Sequence, residues 1–296
     1  MTTAAQQKAQ QNRSTVFVEV GKLSSVERLP GDQFILRIRA PKCAAAARPG
    51  SFVLLTCDPA APMRRPLSIM RVVDDCIEIL YKIVGEGLQR LSEKKPGDTI
   101  SILGPIGHPF RPSPERPKAL LIGGGVGIPP MIFIADSLRQ QPDTWTPLAI
   151  LGSEIPFPFA RQRSQLATPW LSNAIIDTMP LLEGWGVPCR LATLSGMDGC
   201  FDGYVTDLAE QWLSTLSAQD LAKTQIFSCG PTPMLKAVAA LAEKYDLPCQ
   251  VSLEEFMACA VGGCGGCTVV IKTPEGEAMQ RVCVDGPVFD AASVVW

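Results

Sequence analysis

The hydrophobic pattern of residues 15–112 is typical of short β-strands. Apolar and polar positions alternate, or β-branched residues cluster, in four runs at 16–20, 34–38, 52–55 and 77–81. Pro-Gly pairs at 30–31, 49–50 and 96–97 separate these runs. Such punctuation marks turns between strands. The pattern predicts an antiparallel β-barrel over residues 15–112, preceded by a polar tail at 1–14.

From residue 118 the pattern changes to apolar strands that alternate with longer helical segments. Strands are predicted at 119–122, 148–151 and 225–228, and helices from the glycine loop after 122 to about 140, over 204–216 and over 233–245. This alternation predicts βαβ units, and hence an α/β domain with a parallel sheet over 118–250. The proline-rich stretch 111–117 predicts an interdomain linker, and the aperiodic stretch 155–173 predicts a surface insertion.

Composition narrows the function classes. The chain has 296 residues, of which 46% are hydrophobic and 19% charged, enough for two domains with hydrophobic cores. The net charge of -2 and the lack of a long basic block argue against nucleic-acid binding. No apolar run reaches the ~18 residues of a membrane-spanning helix, and the tail lacks a signal core. We expect a cytoplasmic protein with no membrane insertion. The lone histidine, His108, disfavours hydrolase chemistry.

Eleven cysteines are unusual in a chain with no export signal, and their odd number argues against a disulfide framework. Seven are scattered and are predicted to be small buried hydrophobic residues: Cys43, Cys57, Cys76, Cys189, Cys200, Cys229 and Cys249. The other four crowd the C-terminal segment, which suggests metal ligands there.

The C-terminal cysteines follow the pattern C-x4-C-x2-C-x15-C, formed by Cys259, Cys264, Cys267 and Cys283. This is the spacing of plant-type ferredoxins, and the glycines of the loop let the backbone fold tightly around a centre. A predicted hairpin after residue 268 returns the last cysteine to the loop. The pattern predicts a small 2Fe-2S domain over 251–296, which needs a two-electron partner nearby. A zinc site built from the same thiolates is the alternative.

A candidate flavin motif lies in the barrel-like half, at residues 65–68 (RPLS). Arg65 suits phosphate, the hydroxyl of Ser68 can donate to a flavin ring atom, and Pro66 stiffens the approach. The motif gains weight from Tyr81 on the strand 77–83 and from glycines at 85 and 87 before a predicted helix. Taken alone, an arginine at a strand start is usually a solvated edge residue.

A candidate nicotinamide loop, GGGVGIPP at 123–130, follows the first strand of the second domain and opens a helix. Glycines there let the backbone approach a dinucleotide phosphate. Pro130 replaces the third glycine of the usual fingerprint, and a plain tight turn is the alternative. Cys229 and Gly230 occupy a second strand-to-helix junction, at the sheet edge where α/β proteins bind ligands. Glu154, without a basic cluster beside it, favours NAD over NADP.

In this order, the motifs resemble a ferredoxin-reductase-like flavoprotein with an appended iron–sulfur domain. More closely, from about residue 15 to 296 the chain resembles the electron-transfer subunit of NAD-dependent (B-type) dihydroorotate dehydrogenase. The most specific portions are residues 63–69 and 281–289. The resemblance implies a multidomain β plus α/β fold: an FAD-binding β-barrel, a ferredoxin-reductase-like α/β domain and a 2Fe-2S domain.

The resemblance also implies which residues hold the cofactors. FAD is expected to contact Arg65, Pro66, Leu67, Ser68, Leu80, Tyr81, Lys82, Gly87 and Leu88. NAD is expected to contact Gly123, Gly124, Gly125, Gly127, Cys229 and Gly230. The four C-terminal cysteines match the cluster ligands without substitution. Two positions depart from the family: Leu88 replaces a threonine, and Lys82 replaces an arginine but keeps the charge.

The implied activity is electron transfer. By resemblance, dihydroorotate is oxidised at FMN on a separate catalytic subunit, in a heterotetramer with two copies of each chain. Electrons then cross the 2Fe-2S cluster to FAD and reach NAD as a hydride. No dihydroorotate site, and hence no catalytic residue, is identified in this chain.

Two alternatives remain open. One is the small flavin subunit of an NADH-dependent ferredoxin:NADP oxidoreductase or of a sulfide dehydrogenase, which has a similar layout. The other is a zinc-stabilised nucleotide-binding scaffold with no redox chemistry.

Overall fold

The computed structural model describes residues 16–58 and 63–296. Its first part is built from seven antiparallel strands: β1 (Phe17–Leu29), β2 (Gln33–Arg39), β3 (Phe52–Leu55), β4 (Arg65–Ser68), β5 (Arg71–Val73), β6 (Cys76–Lys82) and β7 (Thr99–Ile106). They form one curled sheet in the order β4-β3-β7-β1-β2-β6-β5. Helices α1 (Pro41–Ala46) and α2 (Gly85–Ser92) accompany it. The four predicted strands are confirmed, and the predicted barrel takes the form of a half-barrel. The predicted tail at 1–14 lies outside the described residues.

Alternation along β2 shows why these sequences form strands. Leu36 and Ile38 are fully buried inside the curled sheet, whereas Arg37 and Arg39 point outwards to Glu78 and Asp75. Each buried Leu or Ile contributes about 1.5–3 kcal/mol relative to an exposed one. A shift of one residue in the register would exchange the two faces, so the pattern fixes the pairing.

The second part is an α/β unit. Its strands are β8 (Lys118–Gly124), β9 (Thr146–Gly152), β10 (Gln162–Arg163), β11 (Asp177–Thr178), β12 (Cys189–Thr193), β13 (Phe201–Asp202), β14 (Thr224–Cys229) and β15 (Cys249–Ser252). Its helices are α3 (Ile128–Leu138), α4 (Pro180–Gly184), α5 (Val205–Ser214), α6 (Ala218–Leu221) and α7 (Thr232–Lys244). A parallel sheet runs β13-β12-β9-β8-β14-β15, as the alternation predicts.

The C-terminal segment is tied to the α/β sheet. After the cysteine loop, β16 (Thr268–Thr273) and β17 (Gly276–Arg281) form the predicted hairpin. A last strand, β18 (Val288–Asp290), then pairs antiparallel with β15. One hydrophobic core contains Cys267 and Cys283 together with Phe52 of the curled sheet. The division proposed at residue 250 therefore separates segments that share a sheet and a core.

The predicted linker has no regular secondary structure, but its position is fixed. The buried side-chain amide of Gln225 accepts a hydrogen bond from the Ser113 amide and donates to the carbonyls of Ser113 and Arg116. The side-chain amide of Gln250 accepts a hydrogen bond from the Arg111 backbone amide and donates one to the Arg111 carbonyl. These bonds fix the linker along strands β14 and β15 of the α/β sheet.

The insertion at 155–173 is mostly irregular and is held to the sheet edge by one buried arginine. Arg190 of β12 donates to the Leu166 carbonyl and the Thr168 hydroxyl, each at 2.8 Å. At the other end of the insertion, Gln33 of the curled sheet donates to the Pro156 carbonyl at 2.8 Å. The insertion therefore bridges the two parts of the molecule.

The scattered cysteines follow the prediction with one exception. Six of the seven are buried, and Cys76 is half-buried. All eleven cysteines are free thiols. No helix in residues 16–58 and 63–296 combines the length and the apolar character needed to cross a bilayer.

Candidate functional site

Three parallel strands bring the predicted nicotinamide residues and the start of the cysteine segment to one edge of the sheet. In the register of the sheet, Cys229 of β14 lies between Gly123 of β8 and Ser252 of β15. All three strands run in the same direction, so their carboxyl ends meet there. This edge is where open α/β sheets bind ligands. The chain leaves β15 directly into the cysteine loop.

The glycine loop packs so tightly on this edge that side chains are excluded. A Cβ on Gly127 would lie 2.2 Å from the carbonyl oxygen of Cys229, which is backbone and cannot swing aside. A Cβ on Gly124 or Gly230 would meet the Met234 side chain within 2.5 Å. The sequence indicated the glycines but not the packing role of Met234, because the contact joins residues distant in the chain.

Gly125 differs from its neighbours because it faces open space. Its φ is +55°, and a Cβ built on it would meet nothing within 4 Å. The backbone is therefore accessible from outside where the turn leads into α3. Prolines at 129 and 130 have no N–H, and the Ile128 amide bonds the Gly125 carbonyl, so the attraction for an anion here comes from the positive end of the helix dipole. The turn 125–127 also contacts strand β6 of the curled sheet. The open backbone at Gly125 leaves room for a phosphate group.

The predicted flavin motif forms the edge strand β4 of the curled sheet. Arg65 Nη1 donates to the Met63 carbonyl at 2.9 Å, and the guanidinium lies against Gly87, where a Cβ would be 2.9 Å from Nε. Within the described ranges, no carboxylate forms an ion pair with Arg65. An arginine with no acidic partner, beside the N-terminal turn of α2, suits a phosphate ligand.

The other residues of the motif are less buried than Leu88, the predicted contact on the neighbouring helix. Pro66, Leu67 and Ser68 are all half-buried on β4. Leu88 is buried on α2 beside Gly87. Leu67 and Leu88 both pack in the core of the curled sheet, and β4 lies close to β6.

Strand β6 divides its predicted contact residues between two faces. Tyr81 is buried in the core of the curled sheet, where its ring stacks on Phe34 at 5.6 Å. Burial, with a smaller effect of Cys57, raises the pKa of Tyr81 far above its usual value. Leu80 joins the core of the α/β unit and Lys82 is half-buried. A contact between Tyr81 and FAD would therefore use its backbone.

Cys229 is an inert thiol at the sheet edge. Its sulfur is fully buried and lies 4.0 Å from Glu254 Oε1. Burial, followed by the negative charge of Glu254, raises the pKa of Cys229 well above its usual value. At this edge Cys229 is thus a small, neutral side chain with no exposed surface.

The four C-terminal cysteines lie in one loop-and-hairpin unit. The sulfurs of Cys259 and Cys264 are 3.4 Å apart, and the amide of Gly266 donates to Cys264 at 3.4 Å. Cys267 and Cys283 are buried, and the amide of Val282 bonds the Cys267 carbonyl at 2.8 Å. In the described residues no three metal-binding side chains have converged on one point. The donor set of four thiols, served by backbone amides, fits an iron–sulfur cluster.

The loop prepares its first cysteine for deprotonation. Burial tends to raise the pKa of Cys259, but hydrogen bonds from the backbone amides of Val261, Cys264 and Gly263 outweigh it and lower the pKa to about 7. In contrast, burial and the neighbouring Cys267 raise the pKa of Cys283 to about 12. Glycines at 262 and 265 have φ of +80° and +67°, which L side chains rarely adopt.

Comparison with known proteins identifies the family. Residues 254–295 match the model of the iron–sulfur cluster binding domain of dihydroorotate dehydrogenase B. The electron transfer subunit of dihydroorotate dehydrogenase B (NAD(+)) from Geobacillus thermodenitrificans is 36% identical over 256 residues, 83% of this chain and 86% of that protein. The subunit from Caldanaerobacter subterraneus subsp. tengcongensis is 32% identical over 248 residues, 84% of this chain and 87% of that protein.

Solved structures support the same fold. A chain of an NADH-dependent reduced ferredoxin-NADP oxidoreductase is 26% identical, with a TM-score of 0.74, and the match covers 94% of this chain and 90% of that one. The ferredoxin reductase of carbazole 1,9a-dioxygenase shares the fold at 22% identity and a TM-score of 0.58, over 79% of this chain and 67% of that one. The predicted ferredoxin-reductase-like architecture is confirmed. With relatives of this identity and coverage, the chain belongs to the family of electron-transfer subunits of NAD-dependent dihydroorotate dehydrogenase B.

Proposed function

We propose that this chain transfers electrons between a catalytic dihydroorotate dehydrogenase subunit that carries FMN and NAD, as part of pyrimidine biosynthesis. The single observation that supports this best is the shared sheet edge. The nicotinamide loop and the start of the cysteine loop lie on adjacent strands, with Cys229 in register with Gly123 and Ser252. Electron transfer between bound cofactors requires that they lie close together, and this edge brings the two loops close to each other.

The residues divide into three binding sets. The cluster ligands are Cys259, Cys264, Cys267 and Cys283. The FAD set is Arg65 to Ser68, Leu80 to Lys82, Gly87 and Leu88, with Arg65 on the phosphate. The NAD set is Gly123, Gly124, Gly125, Gly127, Cys229 and Gly230. When bound, the cluster carries single electrons and the flavin pairs them into the hydride that NAD takes.

The partner and the location follow from the family and from the thiols. We propose a heterotetramer of two electron-transfer and two catalytic chains. A cytoplasmic location is supported by the seven free cysteines outside the cysteine loop, because reduced thiols are typical of that compartment.

The first test is spectroscopic. The anaerobically purified chain should show flavin and iron–sulfur absorption bands that bleach when NADH is added. Coexpressed with a candidate FMN subunit, it should copurify and reduce NAD with dihydroorotate. A colourless protein that contains zinc and does not change on reconstitution with FAD and iron would contradict the proposal and favour the zinc-stabilised scaffold.

A substitution separates the two halves of the relay. Cys264→Ser should abolish the cluster bands and electron transfer to the partner, while NADH oxidation by a two-electron acceptor survives. Cys76→Ser, which changes a half-buried cysteine outside the loop, is the matched control and should alter neither. Loss of both activities with FAD retained would refute this division of roles.

A second function is favoured by one finding, the likeness to an NADH-dependent reduced ferredoxin-NADP oxidoreductase over 94% of the chain. It predicts a different partner. If the chain transfers electrons between NADH and ferredoxin or NADP but none from a dihydroorotate dehydrogenase subunit, this second function is the correct one.

A further inference from the structure

Arg281 lies at the base of the cysteine loop, with no role assigned by the motifs. It is the last residue of β17 and pairs across the hairpin with Thr268, the neighbour of Cys267. Its own carbonyl accepts hydrogen bonds from the amides of Val284 and Asp285, at 3.1 and 2.8 Å. Arg281 therefore closes the turn that carries Cys283.

The side chain of Arg281 reaches the opposite side of the loop. Its Nη1 donates to the carbonyl oxygen of Gly262 at 3.1 Å. Its Nε lies 3.3 Å from Asp285 Oδ2, and the same oxygen accepts from the Arg281 amide at 3.0 Å. The Asp285 side chain is only 9% exposed, so this carboxylate holds the guanidinium in place.

The bond to Gly262 acts on the short stretch between two ligand cysteines. Gly262 lies between Cys259 and Cys264, and the amide of Cys264 donates to the Cys259 sulfur at 3.4 Å. The carbonyl that Arg281 holds is two residues from that amide. The guanidinium therefore fixes the part of the loop whose backbone amide faces the Cys259 sulfur.

Space around Gly262 shows that this arrangement is specific. Gly262 has φ of +80°, and a Cβ on it would lie 2.7 Å from Val284 Cγ2 and 3.2 Å from Arg281 Nη1. The loop therefore approaches the arginine as closely as a glycine allows.

We propose that Arg281, fixed by Asp285, is a positioning residue of the iron–sulfur site that holds the cysteine loop at Gly262 and sets the reduction potential of the centre. The inference rests on the proposed cluster. Amide–sulfur hydrogen bonds and nearby positive charge both stabilise the reduced, more negative state, and negative charge opposes it. Arg281 and Asp285 therefore act on the potential with opposite signs.

The test compares three variants by redox titration followed with electron paramagnetic resonance. Arg281→Gln should shift the midpoint potential to more negative values and alter the resonance signature of the reduced centre. Asp285→Asn removes the negative charge but keeps an amide oxygen that can accept the bonds that hold Arg281, so the potential should shift the other way. Lys272→Gln is the control, because it removes an exposed positive charge at the far end of the same hairpin and should give a smaller shift than either.

The outcomes are distinguishable from failure of the proposed function. If the wild-type chain holds no cluster, the proposed function fails first. If it does, equal potentials in all variants, or shifts of the same sign in Arg281→Gln and Asp285→Asn, overturn the role of Arg281. Should Arg281→Gln lose the cluster, Arg281→Lys replaces it. Lysine keeps the charge but not the planar fork that reaches Gly262 and Asp285 together, so the resonance signature of the reduced centre should change. A signature and a potential equal to those of the wild type would contradict the proposal.

Discussion

The amide of His108 donates a 2.6 Å hydrogen bond to the carbonyl of Gly286. His108 follows β7 of the curled sheet, whereas Gly286 lies three residues after Cys283. The neighbouring pair leaves no room for a side chain, since a Cβ added to Gly107 would lie 2.3 Å from Pro287 Cδ. The sheet that carries the flavin motif is thus docked directly on the cysteine segment.

This docking can be tested with Gly107→Ala. The added methyl group collides with Pro287 and should separate the two segments. We therefore expect NADH to reduce the flavin at the normal rate, whereas reduction of the cluster should slow about tenfold or more. A tenfold change in rate corresponds to a barrier change of about 1.4 kcal/mol. Stopped-flow absorbance resolves the two steps. Gly97→Ala is the control for backbone strain, because Gly97 has φ of +98° against +95° for Gly107 but nothing within 4 Å of its Cβ. Equal slowing in both variants would contradict the prediction.

Two adjacent arginines should have separable roles. Arg64 donates to the Leu54 carbonyl at 3.3 Å and to the Ser101 hydroxyl at 2.9 Å, and so ties β3 to β7. Among residues 16–58 and 63–296, Arg65 has the backbone carbonyls of Met63 and Arg64 as its hydrogen-bond acceptors. We expect Arg65→Gln to weaken FAD binding about 10–100-fold, the value of one or two charge-assisted hydrogen bonds, with little loss of stability. Arg64→Gln should lower the melting temperature instead. Fluorescence titration measures FAD binding in both variants, and thermal unfolding measures their stability. Weaker FAD binding in Arg64→Gln together with a lower melting temperature in Arg65→Gln would refute the prediction.

The nicotinamide loop is probed by Gly127→Ala. Its Cβ would lie 2.2 Å from a backbone carbonyl, so the loop must move, at a cost of about 1–3 kcal/mol. We expect a higher KM for NADH in the reduction of ferricyanide, with FAD content unchanged. Gly184→Ala, where nothing lies within 4 Å of the Cβ, should behave like the wild type. An unchanged KM in Gly127→Ala would argue against a nucleotide at this edge.

Local signals in the sequence were enough to predict most of the fold. Strand alternation, the glycine loop before a helix and the cysteine spacing each depend on neighbouring residues, and each prediction of an element is confirmed. Alternation also indicates that Tyr81 shares its face with Ile77 and Ile79, and so lies in the core. Motif matching alone treats residues 80–82 as a unit and misses this.

Contacts between residues that are distant in the chain could not be predicted from the sequence. Strand β18 has three residues and no periodicity, yet it pairs with β15 because the hairpin and the cysteine turn carry it there. The contact between Arg281 and Gly262 spans 19 residues, and Met234 fills space beside two glycines from another element. Such contacts depend on the tertiary fold, so no local pattern reports them.

The cysteines give a prediction that depends on pH. In cluster-free protein, Cys259, with a pKa of about 7, is roughly half thiolate at pH 7 and gains only about twofold in reactivity by pH 9. Burial raises the pKa of half-buried Cys76 above 9.0, so its reactivity should rise about 50-fold or more over the same range. Buried Cys43, with a pKa raised to about 12, should not react. Alkylation rates by peptide mass spectrometry check this order, and a steep pH response at Cys259 would contradict it.

The glutamine that fixes the linker should contribute strongly to stability. Gln225→Met preserves volume but removes three hydrogen bonds and leaves the Ser113 amide and two carbonyls without their partner. Because the site is buried, we expect a loss of about 3 kcal/mol and a fall of several degrees in melting temperature. Gln250→Met removes two bonds at a more exposed position and should cost about 1 kcal/mol. If both variants lose the same small amount, the linker is held by packing of the two sheets and not by these amides.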